Sequence, residues 1–350
     1  MSGEYMSDNK KEKKVSIFVP HLGCPHDCAY CNQEKITGLK KSVVRSIAEI
    51  EQEIKKQLES IDCNQNHVGI AFFGGSFTGL PHDYQIQLLE LGTKYVNHYS
   101  LQGIRFSTRP DYINADVLKN LQGYPIEAIE LGVQSLDSQV LQCSNRGHSV
   151  QDVYQAVSLI RETPYLLGIQ LMVGLPFDSL EISIKTAQEV IRLAPDFVRI
   201  YPTLVLQGTE LEQLYQKGLY TPWSLQDTIE NTAKMVRLFY QSNIPIIRLG
   251  LQASEELQET GAVIAGPYHP NIRQLIESQY FLDLLLELST DSFSGNDDLI
   301  YISIHPSDET AFRGQGNQNL QSFMDKFRKK IILVKDSTQR KKTFSIIESL

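Results

Sequence analysis

Tryptophan is nearly absent, occurring once in 350 residues, and cysteine is scarce at five. Positive charge is also short: 33 lysines and arginines face 41 aspartates and glutamates, for a formal charge of −8. That balance excludes a global basic field for nucleic acid, so any RNA contact must come from a local patch. No apolar run approaches the roughly 20 residues of a membrane-spanning helix. The N-terminus has no apolar signal core either. Neither a membrane partner nor secretion is expected. The cysteine usage fits a reducing cytoplasm better than a secreted disulfide scaffold.

Three of the cysteines fall close together, in Gly23-Cys24-Pro25-His26-Asp27-Cys28-Ala29-Tyr30-Cys31-Asn32. C-x3-C-x2-C spacing crowds three sulfurs into one small volume, which suits a metal or cluster better than disulfide pairing. A structural zinc usually takes four protein ligands. No second cysteine pair exists, although His21 and His26 are close enough for a Cys3His zinc. A 4Fe–4S cube normally takes four thiolates, so three leave one iron open to a substrate or cofactor. The stretch follows a short apolar run, Val15 to Val19, that reads as a strand.

Apolar runs and helical periodicity then alternate along the chain. Strands are expected at His67–Phe73, Gly103–Ser107, Ala128–Val133, Leu167–Val173 and Phe197–Tyr201, each followed by a helical segment. With the first run, that makes six β–α units, and such alternation implies a parallel sheet covered by helices. Right-handed crossovers curl it into a full or partial barrel, whose C-terminal strand ends carry the chemistry. Ser224–Ser242 reads as a further helix and Ile244–Leu251 as a further strand. The expected organisation is a disordered lead-in over 1–14, a core over 15–251, a linker over 252–270 and a small α+β appendage over 271–350.

Polar motifs recur at the strand ends. Phe72-Phe73-Gly74-Gly75-Ser76 closes the second strand, and two glycines let backbone approach a ligand closely. Ser107-Thr108-Arg109-Pro110-Asp111-Tyr112 closes the third, with hydroxyls able to bond a ribose or substrate. Glu130 sits in the apolar fourth strand, where an unpaired charge is costly; Gln134 ends that strand, and Asn145-Arg146-Gly147-His148 follows. Arg146 is a candidate for a carboxylate grip or, alternatively, a structural ion pair with Glu130. Gly168-Ile169-Gln170-Leu171-Met172-Val173-Gly174-Leu175-Pro176 is the fifth strand and its exit, and Tyr201 ends the sixth, lining a cavity or capping the barrel.

With Tyr30 just before the last cysteine, the C-x3-C-x2-C loop resembles the signature of the radical S-adenosylmethionine enzymes. The resemblance implies a partial (β/α)6 TIM-type barrel. It also implies a 4Fe–4S cluster on Cys24, Cys28 and Cys31 whose open iron binds S-adenosylmethionine. A 5′-deoxyadenosyl radical, formed with an electron from a donor such as flavodoxin or ferredoxin, would then abstract hydrogen from the substrate. By the same resemblance, Gly74 and Gly75 meet the methionine amino group. Glu130, Gln134 and Arg146 hold the cofactor, with Arg146 on its carboxylate, and the strand carrying Met172 lies against the adenine. Ser76 stands where the family often has glutamate.

Several blocks, among them Thr108–Tyr112, Asn145–Ser149 and Tyr201–Val205, resemble the radical domain of the Elongator catalytic subunit. That subunit begins modification of the wobble uridine in tRNA. This chain has a more compact cysteine loop, and at 350 residues it ends too soon for an acetyltransferase domain. The glycine-rich Arg313–Gln318 also departs from a pyrophosphate loop, so acetyl-coenzyme A is not expected. The implied function is radical chemistry on a tRNA nucleoside. The alternatives are radical chemistry on a small molecule, such as a tetrapyrrole or cofactor precursor, and a non-catalytic iron–sulfur or zinc protein. A tRNA contact would need the local basic groups Lys10–Lys14, Lys40, Lys41, Arg45, Lys329, Lys330 and Arg340–Lys342 to gather at the cavity mouth.

Overall fold

The computed structural model describes residues 11–19, 23–24, 28–32, 44–251, 261–289 and 298–347. His21, His26, Lys10, Lys40 and Lys41 fall outside them, as do residues 1–10 of the expected lead-in and 252–260 of the expected linker.

Seven parallel strands form the main sheet: β1 (Lys11–Val19), β2 (Asn66–Gly74), β3 (Ile104–Thr108), β4 (Ile126–Gln134), β5 (Leu166–Val173), β6 (Phe197–Pro202) and β8 (Ile246–Leu249). They lie in sequence order from β1 to β8, each hydrogen-bonded to the next. This curled half-barrel contains the six expected strands and the further strand expected near 244–251.

Each crossover is helical. The helices are α1 (Ile47–Glu59), α2 (His82–Tyr99), α3 (Ala115–Asn120), α4 (Ser138–Cys143), α5 (Val150–Arg161), α6 (Leu180–Leu193), α7 (Glu210–Gln216) and α8 (Leu225–Gln241). Side-chain caps start several of them. Ser46 and Ser149 form capping boxes with Glu49 and Asp152, satisfying donors that a helix start leaves open.

Through the middle of the sheet the strands alternate between two faces. Ile129, Leu131, Ile169, Leu171, Val198 and Ile200 are fully buried under the helices. Their neighbours Ser107, Gln170, Met172, Arg199, Tyr201 and Arg248 keep accessible surface on the concave side. A strand's side chains point alternately to opposite faces, so the inner face is polar and the outer face is core.

Two expectations are corrected. The lead-in does not reach residue 14: β1 begins at Lys11, and Lys14 lies on the barrel floor 3.0 Å from Glu127. Pairing with β2 outweighs the polarity of those lysines. The described end of the linker folds back: β9 (Val263–Ala265) pairs antiparallel with β7 (Val205–Leu206). The C-terminal segment is α+β, with α9 (Ile272–Leu286), β10 (Leu299–Ile304), α10 (Glu309–Arg313), α11 (Gln318–Phe327), β11 (Lys330–Lys335) and β12 (Phe344–Ile347). This is the expected small α+β appendage, and its core is continuous with that of the barrel, because α9 packs on α8 and buries Ile276, Phe281 and Leu285 in the same cluster.

Candidate functional site

The described part of the cysteine loop is clamped by backbone from two helices. The Ala29 N–H donates to the Ser144 carbonyl after α4 at 3.0 Å, and the Leu211 N–H of α7 donates to the Ala29 carbonyl at 2.7 Å. The loop also touches the β2 exit. A Cβ placed on Gly79 would lie 2.3 Å from the Gly23 carbonyl oxygen, so only glycine permits that approach.

Two thiols receive donors from distant strand ends. The Ser76 N–H donates to Cys24 Sγ at 3.3 Å, and Arg146 Nη1 donates to Cys28 Sγ at 3.1 Å. Burial pushes the Cys24 thiol up, while the Ser76 N–H and the Arg146 charge draw it back toward thiolate. Donors aimed at sulfur are the outer partners that a thiolate ligand needs. Among the described residues, no three His, Cys, Asp or Glu side chains gather around one point as a single ion requires. A cube, with one thiolate per iron, has no such requirement.

Arg146 is buried, and its second Nη donates to the Gly132 carbonyl at 2.5 Å. Burial opposes its charge, but Tyr30 and the two nearby cysteines more than offset this and hold its pKa above the ordinary value. Among the described residues its Nε has no hydrogen-bond partner, and neither does Oε1 of Gln134, which lies on a β-bulge with φ of 68°. A Cβ on Gly132 would come 3.1 Å from Gln134 Nε2 and 3.2 Å from Arg146 Nη2. Unsatisfied buried polar atoms around a glycine-lined space mark a place for a polar ligand. The Tyr30 hydroxyl is buried too, without a hydrogen bond of good geometry, although Cys28 lies beside it; burial drives its pKa up.

The other predicted residues divide by role. Gly74 has φ of 110°, a conformation for glycine, but the Gly75 N–H is taken by the Val19 carbonyl at 3.2 Å. Thr108 Oγ1 braces two hydroxyls, Ser76 at 2.8 Å and Thr78 at 2.5 Å. Ser107 Oγ accepts from Gln170 at 2.8 Å. Met172 stands in register with Tyr201 on the inner face.

Glu130 does not pair with Arg146. Fully buried, it lies 2.8 Å from Arg199 Nε and 3.6 Å from Arg105 Nη1, and accepts from Gln170 Nε2 at 2.8 Å. Arg105, Gln170, Arg199 and Arg248 were not singled out from the sequence. Their signal was present: a polar residue at every second place of apolar strands, as in Phe197-Val198-Arg199-Ile200-Tyr201. His148, just before α5, is buried close to the Arg146 charge. Neither ring nitrogen forms a hydrogen bond of good geometry, although the Val133 backbone lies beside it. Burial and the Arg146 and Arg109 charges push its pKa down to about 3.

Among the described residues no helix is long and apolar enough to cross a membrane. Four of the described basic groups of the expected tRNA patch have partners of their own. Lys14 and Arg45 pair with Glu127 and Glu53, Arg340 bonds the Tyr240 carbonyl, and Lys342 pairs with Asp308 and Glu277.

Comparison with known proteins places this geometry. A tRNA uridine(34) acetyltransferase of Methanocaldococcus infernus is 25% identical over 258 residues, covering 62% of this chain and 47% of its own. Human Elongator complex protein 3 is 28% identical over 266 residues, covering 64% and 49%. An uncharacterised protein of Methanocaldococcus jannaschii is 33% identical over 235 residues, covering 62% and 70%. The chain thus spans about half the length of the two characterised relatives. In fold it is similar to the archaeal Methanocaldococcus infernus Elp3, with a TM-score of 0.59 at 20% identity over 76% of this chain and 62% of that one. The model of the radical SAM C-terminal domain matches residues 195–280. The model of the radical SAM superfamily matches residues 18–194, about half of the chain. The chain belongs to the radical SAM superfamily, whose cofactors are S-adenosylmethionine and a 4Fe–4S cluster.

Proposed function

We propose that this radical SAM enzyme holds its cluster through Cys24, Cys28 and Cys31 and acts on a nucleoside of tRNA. The donor set and the orphaned polar atoms fit both cofactors. Held by Cys24, Cys28 and Cys31, the cluster would supply the electron for reductive cleavage of S-adenosylmethionine, the source of a 5′-deoxyadenosyl radical for hydrogen abstraction from the substrate.

The chain's own residues bind and orient. Arg146 carries the reading: one nitrogen touches Cys28, another is anchored on the Gly132 carbonyl, and Nε has no partner among the described residues. A guanidinium fixed beside the Cys28 thiol would suit the methionine carboxylate of S-adenosylmethionine. Gln134 Oε1 is an acceptor for the methionine amino group or the ribose. Met172 and Tyr201 face the space where the substrate would lie. Thr108 and Ser76 brace the β2 and β3 exits.

The tRNA assignment draws on the relatives named for wobble uridine and Elongator chemistry. A small-molecule substrate is the second reading, favoured by the pairing of Arg45, Lys342 and Arg340 with groups of the protein itself. Comparing tRNA nucleosides and metabolites of a deletion strain with its parent decides between them. A wobble-uridine derivative lost on deletion and restored by the gene supports tRNA; unchanged nucleosides with an accumulated metabolite overturn it.

A further inference from the structure

The exit of β5 carries an aromatic side chain that neither packing nor backbone explains. Leu175-Pro176-Phe177-Asp178 is a tight turn, closed by the Asp178 N–H on the Leu175 carbonyl at 2.9 Å. Proline at its second place and a φ of 66° at its third are the signs of a type II turn. That third place asks for glycine, because a side chain there strains the backbone. Phe177 fills it, and 63% of its surface is exposed. Burial of the ring therefore returns little of that strain.

The turn is fixed beside the cysteine loop. The Gly174 N–H donates to Asp178 Oδ2 at 2.7 Å, and the Tyr220 hydroxyl donates to the Gly174 carbonyl at 2.6 Å. A Cβ on Gly174 would lie 3.3 Å from the Trp223 ring, so the chain's one tryptophan covers the same residue. Tyr220 packs in turn with Leu211, whose N–H holds the Ala29 carbonyl, and Tyr30 lies against that cluster. Phe177 thus stands on the rim that the cysteine loop occupies, as a fixed and exposed flat surface. Next to Tyr220, Leu219 is exposed as well, with the exposed Lys217 on the same turn. Unpaired RNA bases are recognised by stacking on such rings, with cations on the adjoining phosphates. A nucleoside brought to the cysteine loop from a tRNA arrives with its neighbours attached, and these must pass over the rim.

We propose that Phe177 is a stacking platform for an unpaired base beside the target nucleoside of an RNA substrate. This rests on the tRNA reading and adds to it a substrate-binding residue outside the cofactor site. The stacked neighbour fixes the strand at the rim, so that the target nucleoside is held over the strand ends.

The test is fluorescence anisotropy of the cluster-reconstituted full chain, kept anaerobic, with a labelled RNA hairpin whose loop is unpaired and with the fully paired duplex of its stem. Tighter binding of the hairpin is expected. Phe177→Ala should weaken hairpin binding about five- to a hundredfold, the worth of one stacked base. It should leave duplex binding and the salt dependence unchanged, because no charge is lost. Phe177→Trp should keep the preference for the hairpin. Phe177→Gly should lose it while its melting temperature rises by about 1–3 °C, since glycine suits the left-handed turn. Equal hairpin binding by wild type and Phe177→Ala, or no preference of wild type for hairpin over duplex, overturns the proposal. Loss of binding that tracks a fall in melting temperature across the variants also overturns it, and assigns the ring to folding. If the deletion strain loses a wobble-uridine derivative while Phe177→Ala binds the hairpin as wild type does, the stacking site falls and the tRNA reading stands.

Discussion

Arg146 Nη1 donates to Cys28 Sγ at 3.1 Å, joining residues 118 positions apart. The contact brings the end of the fourth β–α unit onto the cysteine loop after the first strand. One guanidinium thereby reads both the cluster loop and the Gly132 carbonyl. A substitution at Arg146 should disturb cofactor binding first.

Arg146→Lys keeps the charge but loses the planar fork that spans Cys28 and Gly132. The apparent affinity for S-adenosylmethionine, measured by equilibrium dialysis, should fall at least tenfold with the cluster absorbance retained. Unchanged affinity would remove Arg146 from the cofactor site.

Gly132→Ala places a methyl 3.1 Å from Gln134 Nε2 and 3.2 Å from Arg146 Nη2. These contacts are tight but can shift, so the fold should survive. S-adenosylmethionine binding should weaken more than thermal stability. A large fall in melting temperature with unchanged binding would contradict the placement.

Glu130→Gln leaves the buried Arg199 with a weaker partner and Arg105 with one carboxylate fewer. Removing one member of a buried ion pair costs about 3–5 kcal/mol, read by urea unfolding. Glu130→Gln combined with Arg199→Met should recover part of that loss. An additive double variant would show that the two do not interact.

Two buried groups give opposite pH signatures. His148, depressed to about 3, is neutral when folded. Its contribution is present above pH 6.5 and lost as pH falls toward 3, because the unfolded chain takes up the proton. Asp178, raised to about 6 by burial, acts the other way. Its contribution is present below about pH 4 and lost as pH rises through 6. Melting curves of His148→Gln and Asp178→Asn, each subtracted from wild type between pH 4 and 8, should slope in opposite senses. Parallel differences would contradict the burial of one of them.

The sequence carried the strand-end logic well, because parallel strands buried on one face leave apolar runs and cluster loops leave cysteine spacing. Cys24, Cys28 and Cys31 were read from their spacing and Gln134 and Arg146 from the family resemblance, and Arg146 does meet Cys28. The partners of Glu130 were not legible. Arg199 is 69 positions away, and only the β4–β5–β6 register brings them together. The early start of β1 was hidden because Lys11 to Lys14 are polar, and pairing with β2 is a tertiary effect. The β7–β9 ribbon is two and three residues long, too short for a periodicity.

The central claim is that the three thiols support reductive cleavage of S-adenosylmethionine. The direct measurement is 5′-deoxyadenosine released on dithionite reduction, after anaerobic reconstitution with iron and sulfide, for wild type and Cys28→Ala. The account predicts release by wild type with 4Fe–4S absorbance near that of one cluster per chain. Cys28→Ala should release none while keeping wild-type circular dichroism. No release from fully reconstituted wild type, or equal release from Cys28→Ala, would contradict it.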